Sequence, residues 1–335
     1  MPEKLVLSCK QSPGDVVMLT AALRDLHLSY PNQFLTDVRT SYPDLWENNP
    51  FVTPLSSDDP GVTSISCRYP LINHANQAPF HFLQAYMLFI GRKLGLGFGP
   101  TEFRGDIHLS RREWNSMSPM QDRFGTEIPY WIIMSGGKTD YTTKWWDPNR
   151  YQEVVNHFRG RLLFVQVGRS EDPHPGLDGV VDLRGQTTLR ELVMLIYHSQ
   201  GVLCPVTCAM HLAAAVPIHR ERRSARPCVV VAGGREPPHW EAYPGHQFIH
   251  TVGMLDCCAT GGCWKTRVSP IGDGSKRDHP DSLCTHVVNN GLPKCMDIIT
   301  TQDVCRRVEG YFEGEATRYL TQTECAILGE HGMWR

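Results

Sequence analysis

A chain of 335 residues is long for a single hydrophobic core and points to two domains. With 41% hydrophobic and 20% charged residues it has a globular composition, which excludes a disordered or fibrous chain. Its 33 basic and 35 acidic residues leave a formal charge of -2, so no global charge draws it to nucleic acid or a membrane surface.

Lys4–Cys9 is a short apolar run and reads as a buried strand. A turn follows, then a helix whose Val16, Leu19, Leu23, Leu26 and Tyr30 form one apolar stripe. Ser12 suits the cap of this helix, Pro13 its first position, and Asp15 completes a capping box. Gly14 admits close approach of another group. Asp15 has two readings. It is either a cap satisfying orphan N–H groups, or a catalytic base at the carboxyl edge of a sheet, where α/β proteins bind ligands. Phe34–Val38 is the next strand, Pro43–Asn49 a short helix or turn, and Gly61–Cys67 another strand. Pro79–Leu94 is a helix begun by a proline, with His74, Gln77 and His81 near its start. Gly95, Gly97 and Gly99 follow a helix and run into a proline, so they are not a dinucleotide motif, which follows a strand and opens a helix. Arg111–Thr126 is polar and irregular and serves as the linker.

The second half restarts with the strand Tyr130–Met134. Gly137-Lys138-Thr139 is not the end of a P-loop, because Ile132 stands where the first glycine belongs. Ser135, Gly136 and Gly137 nonetheless form a loop whose N–H groups can face an anion. Lys144 offers a point charge for phosphate. Its bland reading is an exposed lysine beside the structural Trp145 and Trp146. Helices at Pro148–Phe158 and Leu189–His198 alternate with strands at Leu162–Val167, Val180–Leu183 and Gly201–Cys204. The turn Pro205–Thr207 then opens an alanine-rich helix, with Thr207 at its N-cap and His211 one turn in. Its N-terminus can meet an anion through Thr207, Cys208 and Met210, whereas a histidine such as His211 is also at home in a core. Ile218–Pro227 carries Arg220, Arg222, Arg223 and Arg226, a solvated basic loop or a guard for a phosphate-bearing ligand. Cys228–Ala232 is a further strand leading to Gly233-Gly234. Strand and helix alternate in both halves, which predicts an α/β protein of two parallel sheets with helices on both faces.

No apolar run approaches the roughly 20 residues of a membrane span, and the start lacks a signal peptide's apolar core. The expected compartment is the cytoplasm, where disulfides are rare and clustered cysteines point to metal. Cys9, Cys67, Cys204 and Cys228 sit in strand-like runs and read as small buried hydrophobes. Cys258, Cys263, Cys284 and Cys295 form two pairs that suit a tetrahedral structural iron or zinc site, with Cys257 and Cys258 competing for one position. The alternative is reduced, buried thiols.

Gly14, Asp15, Leu23 and Arg24, then Lys144, Trp145 and Trp146, then the block Val206 to Ala213 come in an order that resembles glycosyltransferase family 9. These are the lipopolysaccharide heptosyltransferases of the GT-B fold. The resemblance covers about residues 4–250. Where the family block carries an acidic residue and a glycine, this chain has Val206 and Cys208. The resemblance implies two Rossmann-like domains facing a cleft: residues 1–125 for the acceptor, residues 126–255 for the nucleotide-sugar donor. A metal segment at 256–300 and a tail at 301–335 follow, the helix Thr301–Phe312 crossing back to the first domain. It also implies an inverting transfer, possible for a heptose, with Asp15 as base and Lys144 and the Thr207–Met210 helix start holding the diphosphate. The acceptor is a glycan, small molecule or protein. The cysteine segment resembles the autotransporter heptosyltransferases, which bind iron through four cysteines and form rings, and a homo-oligomer is one of the partners the resemblance leaves open. The competing reading is a non-catalytic GT-B scaffold that binds partners and has lost its donor site at Val206 and Cys208.

Overall fold

The structure is a computed structural model that describes residues 1–56, 59–218 and 225–334. Strand β1 (Glu3–Cys9) leads into helix α1 (Pro13–Ser29), and β2 (Phe34–Thr40) and β3 (Val62–Ser66) pair in parallel on either side of β1. Helix α2 (Phe82–Leu94) packs on α1 and ends at Gly95, whose φ of 69° gives a left-handed cap. Two short helices, α3 (Arg111–Trp114) and α4 (Pro119–Phe124), occupy the stretch predicted to be an irregular linker.

The second sheet contains β4 (Tyr130–Ile133), β5 (Leu163–Gln166), β6 (Val181–Asp182), β7 (Gly201–Pro205), β8 (Cys228–Gly233) and β9 (His246–His250). Helices α5 (Pro148–His157), α6 (Leu189–His198), α7 (Cys208–Ala215) and α8 (Pro238–Glu241) lie between these strands. The strand order is β6-β5-β4-β7-β8-β9, every pairing parallel. Counted along the chain this is 3-2-1-4-5-6, the doubly wound order in which the switch point falls between β4 and β7. β4, β7 and β8 are buried along their whole length, as strands covered on both faces are. The α/β class with parallel sheets is therefore as the sequence reading expected.

Three expectations change. Helix α2 begins at Phe82 rather than at Pro79: His81 caps it, its Nδ1 accepting from the Leu83 N–H at 3.2 Å, and Gln84 closes the box. Helix α1 is buried almost all round rather than along one stripe, because the first sheet, α2 and α7 enclose it. After α9 (Lys294–Asp297), the helix α10 (Thr301–Glu313) packs on α5 and β8 instead of crossing to the first sheet. Tyr311 at its end donates to the Cys228 and Gly245 carbonyls. The last helix, α11 (Gln322–Glu330), continues along the second-sheet side, where Cys325 reaches the Gly160 carbonyl, and His331 beyond it lies edge-on to Phe124 of α4.

In the basic stretch Arg220, Arg222 and Arg223 lie outside the described residues. Arg226 guards no ligand: its guanidinium donates to the Ala213, Val216 and Pro217 carbonyls and closes the end of α7. Arg24 and Asp25 likewise form a buried pair at 2.9 Å, with Arg24 also holding the Glu102 and Arg104 carbonyls. No helix among the described residues is long and apolar enough to cross a membrane.

Gly105 sits where α1 and α7 meet. A Cβ there would come within 2.9 Å of the Val17 carbonyl and of Ala215. Gly105→Ala is expected to cost about 1–3 kcal/mol of stability, as overpacking does, measured by urea unfolding.

Candidate functional site

Four strand ends converge. The turn after β1 carries Ser12 to Asp15, the loop after β4 carries Gly136 to Lys144, the turn after β7 carries Val206 and Thr207, and the loop after β8 carries Arg235 to Glu241. All are carboxyl ends of parallel strands, the place where the crossover helices leave room for a ligand. Between them lies a cavity of about 480 Å³ lined in part by Asp15, Gly136, Lys144, Thr207, Cys208 and His211.

The start of α1 faces the start of α7. A Cβ on Gly14 would lie 2.8 Å from the His211 ring and 3.6 Å from Cys208 Cα, so only glycine lets the two helices meet this closely. Asp15 keeps its capping role, accepting from the Ser12 N–H at 2.9 Å. Burial nevertheless pushes its carboxyl up to about 6, against the pull of the Ser12 N–H, Lys144, Lys138 and Tyr69. The cap and the titratable cavity group are thus the same carboxylate.

Lys144 forms an ion pair with Glu236 at 2.9 Å, and burial pushes its ammonium pKa down. Arg235 also pairs with Glu236 and lies over the rings of Tyr141 (4.7 Å) and Trp264 (5.5 Å). Lys138 donates to Ser12 Oγ at 3.1 Å and ties the loop after β4 to the cap of α1. His211 is held well below its ordinary pKa by burial. Tyr243 Oη lies 2.8 Å from both His211 Nδ1 and Met18 Sδ, and its single proton serves one of the two. The Cys208 thiol is pushed up to about 12, by burial first and by Asp15 second, so it is no nucleophile.

Of the residues singled out in the sequence, Gly14, Asp15, Gly136, Lys144, Thr207, Cys208 and His211 meet at this cavity. Ser135 and Met210 do not. Ser135 is buried between the Pro175 carbonyl and Gln166, and Met210 lies in the core. Thr207 occupies the N-cap position of α7, yet its hydroxyl donates to Met134 Sδ at 3.4 Å and makes no cap bond. His74 and Gln77 are exposed, and His81 is spent on its cap. Sequence reading passed over Lys138, Arg235, Glu236 and Glu241. The first follows the glycines after β4, and Arg235 and Glu236 follow Gly233-Gly234 after β8, the same strand-then-glycine signal.

Five of the later cysteines gather around the turn after β8. A Cβ on Gly234 would lie 3.0 Å from Cys258 Sγ and 3.3 Å from Cys295 Cβ. Burial raises the Cys295 thiol to about 12, and neighbouring Cys263, Cys284 and Cys257 add to it. The donor set suits iron or zinc. The arrangement itself is not closed: among the described residues no three His, Cys, Asp or Glu side chains are set to hold a metal ion. All twelve cysteines are free, and Cys9, Cys67, Cys204 and Cys228 are buried as expected.

Two parallel sheets whose carboxyl ends enclose a cleft lined by helix N-termini make an α/β fold consistent with the GT-B type. Residues 76–220 match the family model described as glycosyltransferase family 9 (heptosyltransferase), and the enzyme class this match supports is glycosyltransferase. The family resemblance read from the sequence stands. No curated protein matches the chain. Among solved structures, the family 9 glycosyltransferase of Veillonella parvula DSM 2008 is 13% identical with a TM-score of 0.61, covering 92% of this chain and 96% of that one. The dodecameric iron-containing heptosyltransferase TibC of enterotoxigenic E. coli H10407, solved with ADP-D-beta-D-heptose, is 16% identical with a TM-score of 0.61, covering 95% and 79%. E. coli ADP-heptose LPS heptosyltransferase II is 15% identical with a TM-score of 0.54, covering 95% and 100%. At these identities the likeness establishes the fold.

Asp15 carries a stability signature. A carboxyl whose folded-state pKa lies above its unfolded value stabilises the fold below about pH 4 and surrenders that stability as pH rises through 6. Asp15→Asn is expected to be more stable than wild type at pH 8, by at most about 3 kcal/mol, with no such gain at pH 4. Urea unfolding of both proteins at the two pH values measures this.

Proposed function

We propose that the protein is an inverting glycosyltransferase that moves a sugar from a nucleoside-diphosphate donor to an acceptor hydroxyl, with Asp15 as general base. The observation that carries this reading is a carboxyl raised to about 6 that shares one cavity with Lys144 and the start of α7. The acceptor oxygen attacks the anomeric carbon while its proton passes to Asp15. The bond from that carbon to the diphosphate oxygen breaks, and its electron pair leaves with the nucleoside diphosphate. Lys144 and the N–H groups at the Thr207–Met210 turn stabilise the departing charge. Attack opposite the leaving group inverts the anomeric configuration. A heptose is the sugar this reading favours, since TibC was solved with ADP-D-beta-D-heptose and heptosyltransferase II is named for ADP-heptose.

The same reading divides the chain into acceptor and donor domains at about residue 125 and places it in the cytoplasm. It includes a homo-oligomer, as TibC is dodecameric. The family match and the surroundings of Asp15 do not favour a non-catalytic scaffold.

The decisive assay is release of nucleoside diphosphate from ADP-heptose in the presence of acceptor. Asp15→Asn is expected to lower kcat by about 10²–10⁴-fold. The wild-type rate is expected to rise with pH through about 6, as Asp15 ionises, and a variant as active as wild type would remove Asp15 from the base's role.

The reading extends to a structural iron or zinc site formed by Cys258, Cys263, Cys284 and Cys295, supported by their convergence after β8 and by iron in TibC. Elemental analysis is expected to find about one metal per chain, lost or much reduced in Cys263→Ser; unchanged content would remove Cys263 from the ligand set.

A further inference from the structure

The proposed reaction employs Asp15 and Lys144 and leaves Glu241 unused. This carboxylate is 4% exposed, lies on the cavity wall, and its Oε2 has no hydrogen-bond partner. The two nearby cations are committed elsewhere, since Lys144 and Arg235 both pair with Glu236. His211 Nε2 lies 3.7 Å from Oε2, beyond hydrogen-bond reach. A buried acceptor therefore stands on the cavity wall without a donor. Such an arrangement costs stability unless a ligand supplies the missing proton.

The carboxylate is also held in place. Pro237 and Pro238 fix the backbone before it, and Trp240 next to it is buried, stacked on Phe82 at 5.2 Å and edge-on to Trp264 at 6.1 Å. A preformed acceptor selects its ligand. An ammonium group would meet Lys144 and Arg235 in the same cavity, whereas a hydroxyl donates without carrying charge. Val206, on the wall at the start of α7, offers no polar side chain to do this instead.

We propose that Glu241 Oε2 accepts a hydrogen bond from a hydroxyl on the transferred sugar, which makes Glu241 the residue that determines which sugar is used. This rests on the glycosyltransferase reading and deepens it. A site built to bond a hydroxyl rejects the analogue lacking it far more strongly than an apolar pocket rejects a methylene.

The test is calorimetric binding of ADP-heptose, UDP-glucose and GDP-mannose, each against its own nucleoside diphosphate, to wild type and Glu241→Gln. The variant is expected to bind one nucleotide sugar about 10- to 100-fold more weakly while its affinity for the matching diphosphate changes less than about twofold. Deoxy analogues of that sugar should show one hydroxyl whose removal costs wild type a similar factor and costs Glu241→Gln little. Equal weakening of sugar and diphosphate, or an equal response of both proteins to every deoxy analogue, overturns the assignment. Binding of no nucleotide at all by wild type overturns the glycosyltransferase reading itself and this inference with it. Should the variant fail to fold, the deoxy series on wild type still decides, since the absence of any hydroxyl worth tenfold rules out Glu241 as its acceptor.

Discussion

The contact between Gly14 and His211 sets the geometry of the molecule. It brings the N-termini of α1 and α7 together at a distance that no side chain on position 14 would allow. With those two helices fixed, the carboxyl ends of β1 and β7 face each other, and the loops after β4 and β8 close the remaining sides of the cleft. Gly105, wedged between Val17 and Ala215, repeats the same requirement further along the helices. The site is therefore a product of helix packing more than of the loops that line it.

Inside the cleft the charges nearly cancel, yet unevenly. Glu236 takes up both Lys144 and Arg235, and Lys138 is drawn to Ser12 on the opposite side. Asp15 and Glu241 are left as buried carboxylates without a close cation of their own, and burial raises both. Two acidic groups in one cavity thus stay poised to take a proton or to accept a hydrogen bond. The cationic side carries fixed charge suited to a diphosphate.

Much of this was legible in the sequence because it is local. Apolar runs marked the buried parallel strands, Ser12-Pro13-Gly14-Asp15 marked the start of α1, and the alternation of strand and helix marked the class. What stayed hidden depends on distant partners. Ser135 reads as an exposed loop residue, but the chain around Pro173 and Pro175 folds over it and consumes its hydroxyl. Pro79 reads as a helix start, but His81 offers a ring nitrogen that outcompetes it as the cap. Glu241 carries no motif, and reaches the cleft only because the short prolines-and-tryptophan segment after β8 turns back toward α2. The crossing helix expected from the GT-B resemblance fails for a similar reason. Tyr311 and Phe312 find their partners in the second sheet's own carbonyls and rings.

The packing of α1 on α7 has a consequence in time. On a ribosome, α1 is complete about 180 residues before α7 has been made. At about 5–20 residues per second, its inner face waits roughly 10–40 s for the surface that covers it. Until then Val17 and its neighbours are apolar surface in water, open to non-native contacts or to a chaperone. The nascent chain is thus most vulnerable at the helix that carries Asp15, and the arrival of α7 at once shelters that helix and assembles the cleft.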